Sequence, residues 1–201
     1  MTGIATVITQ QSRLGPGRLV LVVGPSGAGK DTLLGIAKAA SLGESGIAFA
    51  RRVVTREPSL AEDNLQSTPE AFRNMVSADE FALHWQAHGH SYGLLRTIDS
   101  DIRAGRTVVA NVSRTVIAQA RQAYENVIVV LVTAPADVLA SRIAMRARSS
   151  DGTIADRVSR TVDGSNDADY TIMNVAGRDD HARELLKIIR DQEPDKKRAV
   201  L

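Results

Sequence analysis

Gly24-Pro-Ser-Gly-Ala-Gly29-Lys30 sets glycines and a lysine at the spacing that lets backbone N–H groups curl around phosphate oxygens. The lysine of such a loop reaches between the β- and γ-phosphates of a nucleoside triphosphate. Gly24, Pro25, Ser26, Gly27, Ala28, Gly29 and Lys30 are therefore the expected nucleotide-binding residues, and Lys30 is also expected to be catalytic. The next position ordinarily offers a Ser or Thr hydroxyl to Mg²⁺, whereas this chain has Asp31 followed by Thr32. A carboxylate is a hard oxygen ligand suited to Mg²⁺, and it also suits the positive end of a helix. Asp31 and Thr32 both stand as nucleotide-binding and metal candidates.

Arginine supplies a second concentration of charge. Arg142, Arg146, Arg148, Arg157 and Arg160 flank the short flexible link Ser149-Ser-Asp-Gly-Thr153, and the four-residue spacing puts Arg142 and Arg146 on one helix face. Phosphoryl transfer develops negative charge on equatorial oxygens and needs water kept out, which an arginine-bearing lid supplies on closing. Arg146, Arg148 and Arg157 are the expected catalytic arginines. Asn111-Val-Ser113-Arg114 ends an apolar strand, where open parallel sheets place their ligands. There Asn111 and Ser113 can hydrogen-bond sugar hydroxyls and Arg114 can meet a phosphate, with helix capping the other use for Ser113. His84, His88 and His90 lie close in sequence, but no acidic partner stands at matching helical spacing, so no zinc site is expected. The one tryptophan, Trp85, is expected to pack.

These side chains need a scaffold, and the hydrophobic pattern supplies one. Arg18–Val23 is a continuous apolar run entering Gly24, and Asp31–Ala40 carries Leu33, Leu34, Ile36 and Ala37 at helical spacing. Ile47–Val54, Arg106–Val112 and Val127–Val132 read as further strands. Thr115–Tyr124 and Ala136–Arg148, with Pro135 in its first turn, read as the helices that follow the last two. A last strand, Tyr170–Val175, precedes a helix opened by Asp179-Asp180 and running to Ile189. Strands alternating with helices predict βαβ units and a parallel sheet. Thr55–Gly93 is polar and weakly periodic, and it reads as a small lobe inserted between core strands.

Composition bounds the rest. The chain has 201 residues, 43% hydrophobic but only 3% aromatic, so its core is aliphatic and carried on regular elements. The absence of cysteine excludes a disulfide framework, a thiolate metal site and a cysteine nucleophile. With 25 basic against 23 acidic residues there is no field for nucleic acid. The longest apolar run, Leu19–Val23, is far short of the roughly 20 residues of a membrane span. The expected division is a flexible leader over 1–17, one domain over 18–190 and a charged tail over 191–201. Within the domain, an acceptor lobe lies at about 55–95 and the lid at about 142–160. No Asn/Thr-Lys-x-Asp guanine signature is present, which turns the reading from GTPases toward a small kinase.

Further motifs are Thr55-Arg56-x-Pro58, Glu62-Asp-Asn64, Tyr92-Gly93, Asn111-x-Ser-Arg114, and Arg146-x-Arg148 ahead of Asp156-Arg157. With the Lys30-Asp31 pair, they make the chain resemble the guanylate-kinase-like P-loop kinases from Leu19 to Ile189. Within that group the resemblance is to the branch acting on ribose 1,5-bisphosphate. It implies a three-layer α/β fold with a parallel core sheet, inserted acceptor lobe and Arg-rich lid. ATP and Mg²⁺ would serve the transfer of a phosphoryl group to the sugar 1-phosphate, forming 5-phosphoribosyl 1-diphosphate in phosphonate catabolism. The resemblance implies Arg56 and Tyr92 as grips on the acceptor phosphate and Asn174 near the adenine. It implies a cytoplasmic protein whose partner is a small phosphorylated sugar, with neither nucleic acid nor membrane, and it leaves a homodimer open. Ser59 stands where guanylate kinases carry a second arginine, and Phe81–Gln86 has no carboxylate to read guanine. Two readings compete with this one: a nucleoside monophosphate kinase acting on GMP, and a non-catalytic interaction domain.

Overall fold

The computed structural model describes residues 12–57, 63–146, 167–175 and 177–191. In chain order the elements are β1 (Leu14–Val23), α1 (Lys30–Ala40), β2 (Ile47–Phe49), β3 (Arg52–Val54) and β4 (Leu65–Gln66). Next come α2 (Pro69–Ser77), β5 (Phe81–Ala87), β6 (His90–Leu95), α3 (Thr97–Arg103) and β7 (Thr107–Asn111). A 3₁₀ turn (Arg114–Val116) leads into α4 (Ile117–Ala123), β8 (Tyr124–Thr133), α5 (Ala136–Arg146), β9 (Tyr170–Met173) and α6 (Arg178–Ile189).

The apolar run before Gly24 becomes the central strand of a five-stranded parallel sheet ordered β2-β7-β1-β8-β9. Successive residues of β1 point to opposite faces, and both faces are covered. Leu19, Leu21 and Val23 pack with β7, α3 and α4 residues such as Ala110, Ile102 and Ala120. Val20 and Val22 pack with Leu33 and Ala37 of α1 and Leu185 and Ile189 of α6. Burial on both sides is why this strand reads as unbroken apolar sequence rather than as alternation. The result is the three-layer α/β fold with a parallel core sheet that the sequence predicts.

A second sheet, ordered β4-β3-β6-β5, is mixed: β3 runs parallel to β4, while β6 is antiparallel to both β3 and β5. Val53, Phe72 and Phe81 join one of its faces to α2, with the two phenyl rings stacked 4.6 Å apart. The opposite face, carrying Val54, Leu83, Tyr92 and Leu94, merges into the main core.

Three expectations need correction. Residues 14–17, assigned to a flexible leader, begin β1, where Leu14 pairs with Tyr124 and Arg18 ion-pairs with Asp191. Ile47–Val54 is two strands in two sheets. The Ala50 N–H still donates to Val109 O at 2.9 Å, but after Arg51 the chain pairs with β6 instead, so the second sheet begins at Arg52, ahead of the lobe boundary expected at 55. The helix expected over 115–124 ends at Ala123, because Tyr124 opens β8 with its ring buried and its hydroxyl donating to Asp99 Oδ1 at 2.6 Å. Burial, reinforced by that bond, pushes the Tyr124 phenol far above its ordinary pKa. Among the described residues, no helix is long and apolar enough to cross a membrane.

Candidate active site

The loop leaving β1 is held from three directions. Gly24 and Gly29 have φ of 143° and 87°, conformations that residues with a side chain rarely adopt. A Cβ on Gly24 would stand 2.0 Å from Val132 O, and one on Gly29 would stand 2.4 Å from Asn174 Nδ2. Asn174, only 3% exposed just beyond β9, donates from Nδ2 to Ala28 O at 2.7 Å. Its Oδ1 is buried and finds no partner among the described residues. From α5, the Arg142 guanidinium donates to Asn174 O at 3.0 Å, Gly27 O at 3.4 Å and Val175 O at 3.2 Å. Three backbone carbonyls thus converge on one arginine that ties the loop to the end of β9.

Within the loop, Lys30 Nζ donates to Gly24 O at 2.7 Å and Pro25 O at 2.9 Å. Lys30 also opens α1, whose first-turn N–H groups have no intrahelical acceptor and whose axis presents its positive end here. Positive-φ glycines, helix N–H groups and an ammonium form a cradle that fits a chain of phosphates.

Asp31 shares that first turn. Its Oδ1 accepts a hydrogen bond from Asn111 Nδ2 at 2.8 Å and lies 3.7 Å from an Arg52 guanidinium nitrogen. The carboxylate is thus fixed between the end of β7 and the start of β3, with a quarter of its side chain exposed. Thr32 is exposed on the same turn. A hard-oxygen donor beside a phosphate cradle fits a divalent cation.

A cavity of about 180 Å³ opens from this point, lined by α1, the chain around β2 and β3, and the end of β7. Its charged and polar lining is Asp31, Lys38, Arg51, Arg52, Asp63, Asn64 and Asn111. Asp63 takes Lys38 Nζ at 2.9 Å and Arg51 Nε at 2.7 Å. The Lys38 hydrogen bond, aided by Arg51, holds its carboxyl below the usual value. Arg52 Nε donates to Asn64 Oδ1 at 3.2 Å.

The structure therefore brings Lys30, Asp31 and Asn111 together. Ser113 caps the 3₁₀ turn, its Oγ accepting from the Thr115 N–H at 3.3 Å, and Arg114 opens that turn. Tyr92 is 8% exposed and stacks on Trp85 at 5.6 Å, so its ring is largely inside the core. Arg56, half-buried, follows β3. Asn174 braces the loop through its side chain. Arg146 ends α5, and Arg148, Arg157 and Ser59 lie outside the described residues, as does most of the expected lid.

Sequence reasoning missed Lys38, Arg51, Arg52 and the brace role of Arg142, while Asp63 and Asn64 stand in the Glu62-Asp-Asn64 motif without an assigned role. A signal for two of these existed: Arg51-Arg52 interrupts an otherwise apolar stretch at the point where the chain changes sheets.

The guanylate kinase family model matches residues 16–192. A ribose 1,5-bisphosphate phosphokinase from Rhodopseudomonas palustris is 62% identical over 194 residues, 96% of this chain and 99% of the relative. Its namesake from Bradyrhizobium diazoefficiens is 58% identical over 96% of this chain and 98% of its own length. Among solved structures, guanylate kinase from Anaplasma phagocytophilum superposes with a TM-score of 0.66 at 19% identity, covering 91% of this chain and 89% of that one. That likeness speaks to the fold.

Proposed function

The chain belongs to the guanylate kinase family, in the branch of the ribose 1,5-bisphosphate phosphokinases, and on that footing we propose that it makes 5-phosphoribosyl 1-diphosphate. It is an ATP-dependent phosphotransferase. An oxygen of the sugar 1-phosphate attacks the γ-phosphorus of ATP. The bond from that phosphorus to the β–γ bridging oxygen breaks, and the oxygen keeps the electron pair as ADP leaves. The attacking oxygen is already anionic, so no strong base is required, and the rate comes from positioning and charge neutralisation.

The observation that carries the acceptor assignment is the 62% identity across nearly the full length of a relative bearing that name. The residues support it. The loop from Gly24 to Lys30 holds the β- and γ-phosphates, and Lys30 meets charge that grows on the transferring group. Asn174 and Arg142 keep the loop in shape. Asp31, with Thr32 beside it, would hold Mg²⁺, which when bound neutralises charge on the β- and γ-oxygens. Arg56, Tyr92, Asn111, Ser113 and Arg114 are read as the acceptor side. Arg146, Arg148 and Arg157 are read as the lid arginines that close over the phosphates. ATP is a metabolite of the cytoplasm, where we place the reaction.

The test is product identification. Purified protein with ATP, Mg²⁺ and ribose 1,5-bisphosphate should release one ADP for each 5-phosphoribosyl 1-diphosphate. ATP consumption without that product would rule the reading out.

A further inference from the structure

We propose that Arg52 is the specificity-determining residue that grips the second phosphate of the acceptor, the one remote from the transferred phosphoryl group. The inference rests on the bisphosphate reading above and adds to it the residue that recognises the bisphosphate character.

Place is the first argument. Arg52 opens β3 two residues before Val54 and therefore shares its face, which packs with Tyr92 and Leu94 toward the core sheet. Its guanidinium lies 3.7 Å from Oδ1 of Asp31, the residue that follows the phosphate-loop lysine. A pentose whose 1-phosphate meets the γ-phosphate near Lys30 has its other phosphate a sugar's length away. The cavity opens beside Asp31 and is lined by Arg52 and Asn64, and its volume of about 180 Å³ is several times that of a water molecule, room for a group beyond the loop.

Charge and shape are the second. Lys38, Arg51 and Arg52 face the cavity against two carboxylates, Asp31 and Asp63, a balance that favours an anion. Lys38 and Arg51 both pair with Asp63, while Arg52 faces Asp31 at the other end of the cavity. The side chain of Arg52 is only 14% exposed, so it meets its ligand in a low-dielectric setting where a charge-assisted bond is strong. Asn64 takes the Nε–H at 3.2 Å and so fixes the plane of the guanidinium. A planar, pre-oriented guanidinium suits bidentate contact with phosphate oxygens, which a lysine in the same place would not reproduce.

The experiment compares ribose 1,5-bisphosphate with ribose 1-phosphate as acceptors for the wild type, Arg52→Lys and Arg52→Met, at saturating ATP and Mg²⁺. Arg52→Met should raise KM for the bisphosphate by about 30-fold or more, while KM for ribose 1-phosphate stays within about threefold of the wild type. Arg52→Lys should fall between, because it keeps the charge and loses the planar fork. Equal effects on the two acceptors would overturn the inference by making Arg52 a structural residue. Should Arg52→Met not fold, Arg52→Lys and competition on the wild type decide. Ribose 5-phosphate should compete with the bisphosphate for the wild type and do so markedly more weakly for Arg52→Lys, whereas free ribose competes with neither. Competition unchanged by Arg52→Lys contradicts the inference alone. A wild type that forms no sugar diphosphate from the bisphosphate overturns the function reading first and this inference with it.

Discussion

Asn111, at the end of β7, donates from Nδ2 to Oδ1 of Asp31 in the first turn of α1, at 2.8 Å. In P-loop NTPases Mg²⁺ is held by a hydroxyl on the helix and a carboxylate on a neighbouring strand. Here the carboxylate stands on the helix and the neutral amide at the strand end, beside β1 in the sheet. The hydrogen bond joins the two exchanged positions and fixes the orientation of Asp31.

Placing an acid at both positions tests that exchange. Asn111→Asp would bring two carboxylates to hydrogen-bond distance, and in chelator the variant should lose about 2 kcal/mol, a fall of roughly 4–8 °C in Tm for a chain of this size. Millimolar Mg²⁺ should restore most of the loss. A variant whose Tm ignores Mg²⁺ would show that no cation sits between these residues. In the complementary variant, Asp31→Ala, the Mg²⁺ concentration for half activity should rise more than KM for the acceptor.

Lys30→Met should lower kcat by about 10³-fold, the scale of a lost electrostatic contact to developing charge. The fold should persist, because the bonds lost to the Gly24 and Pro25 carbonyls lie within the loop itself. Circular dichroism and turnover together check this. Retention of more than about a tenth of wild-type kcat would contradict the loop chemistry.

Asn174→Ala removes the donor that holds Ala28 O from behind the loop. Stability should fall by about 1–2 kcal/mol, and KM for ATP should rise with little change in KM for the acceptor. Equal increases in both would show a general loosening rather than a loop brace.

Tyr124 gives a pH dependence. Its phenol pKa is raised by burial first and by the Asp99 bond second, so the folded protein holds this proton more tightly than the unfolded chain does. That stability is complete below the unfolded tyrosine value of about 10 and is lost as pH rises past it. Tyr124→Phe should cost about 1–3 kcal/mol at neutral pH by leaving Asp99 short of a donor, and it should flatten the alkaline loss. Urea unfolding between about pH 8 and pH 11 reads both effects. Parallel curves for the variant and wild type would rule out the Tyr124 contribution.

What was legible in the sequence followed short-range order. The phosphate loop declared itself because its strand, glycines and helix are contiguous, and the parallel sheet because each strand carries its own apolar signature. What escaped depends on contacts distant in sequence. Leu14 became strand through its pairing with Tyr124, 110 residues later. The break between β2 and β3 is decided by two partners, β7 and β6, that the apolar pattern of Ile47–Val54 does not distinguish. Asn111 was singled out as a sugar ligand, yet its nearest polar partner is Asp31, 80 positions away. Arg52 carried no motif, and its meaning comes only from the cavity it shares with Asp31 and Asn64. The resemblance places Asn174 near the adenine, but its bond to Ala28 O, 146 positions away, carries no local signal in the sequence.

The central claim is the acceptor, and a side-by-side comparison of kcat/KM for ribose 1,5-bisphosphate and GMP, with ATP and Mg²⁺, tests it most directly. A purpose-built polar site discriminates by about 10⁴-fold against an analogue that leaves its buried groups unpaired. Phe81–Gln86 offers no carboxylate to a guanine edge, and Arg52 lines the cavity beside Asp31, where it would meet a second anionic group. The ratio should therefore exceed about 10³ in favour of the sugar bisphosphate. Formation of GDP at a comparable rate would contradict the claim and make the protein a guanylate kinase, with the phosphate loop and its braces left standing.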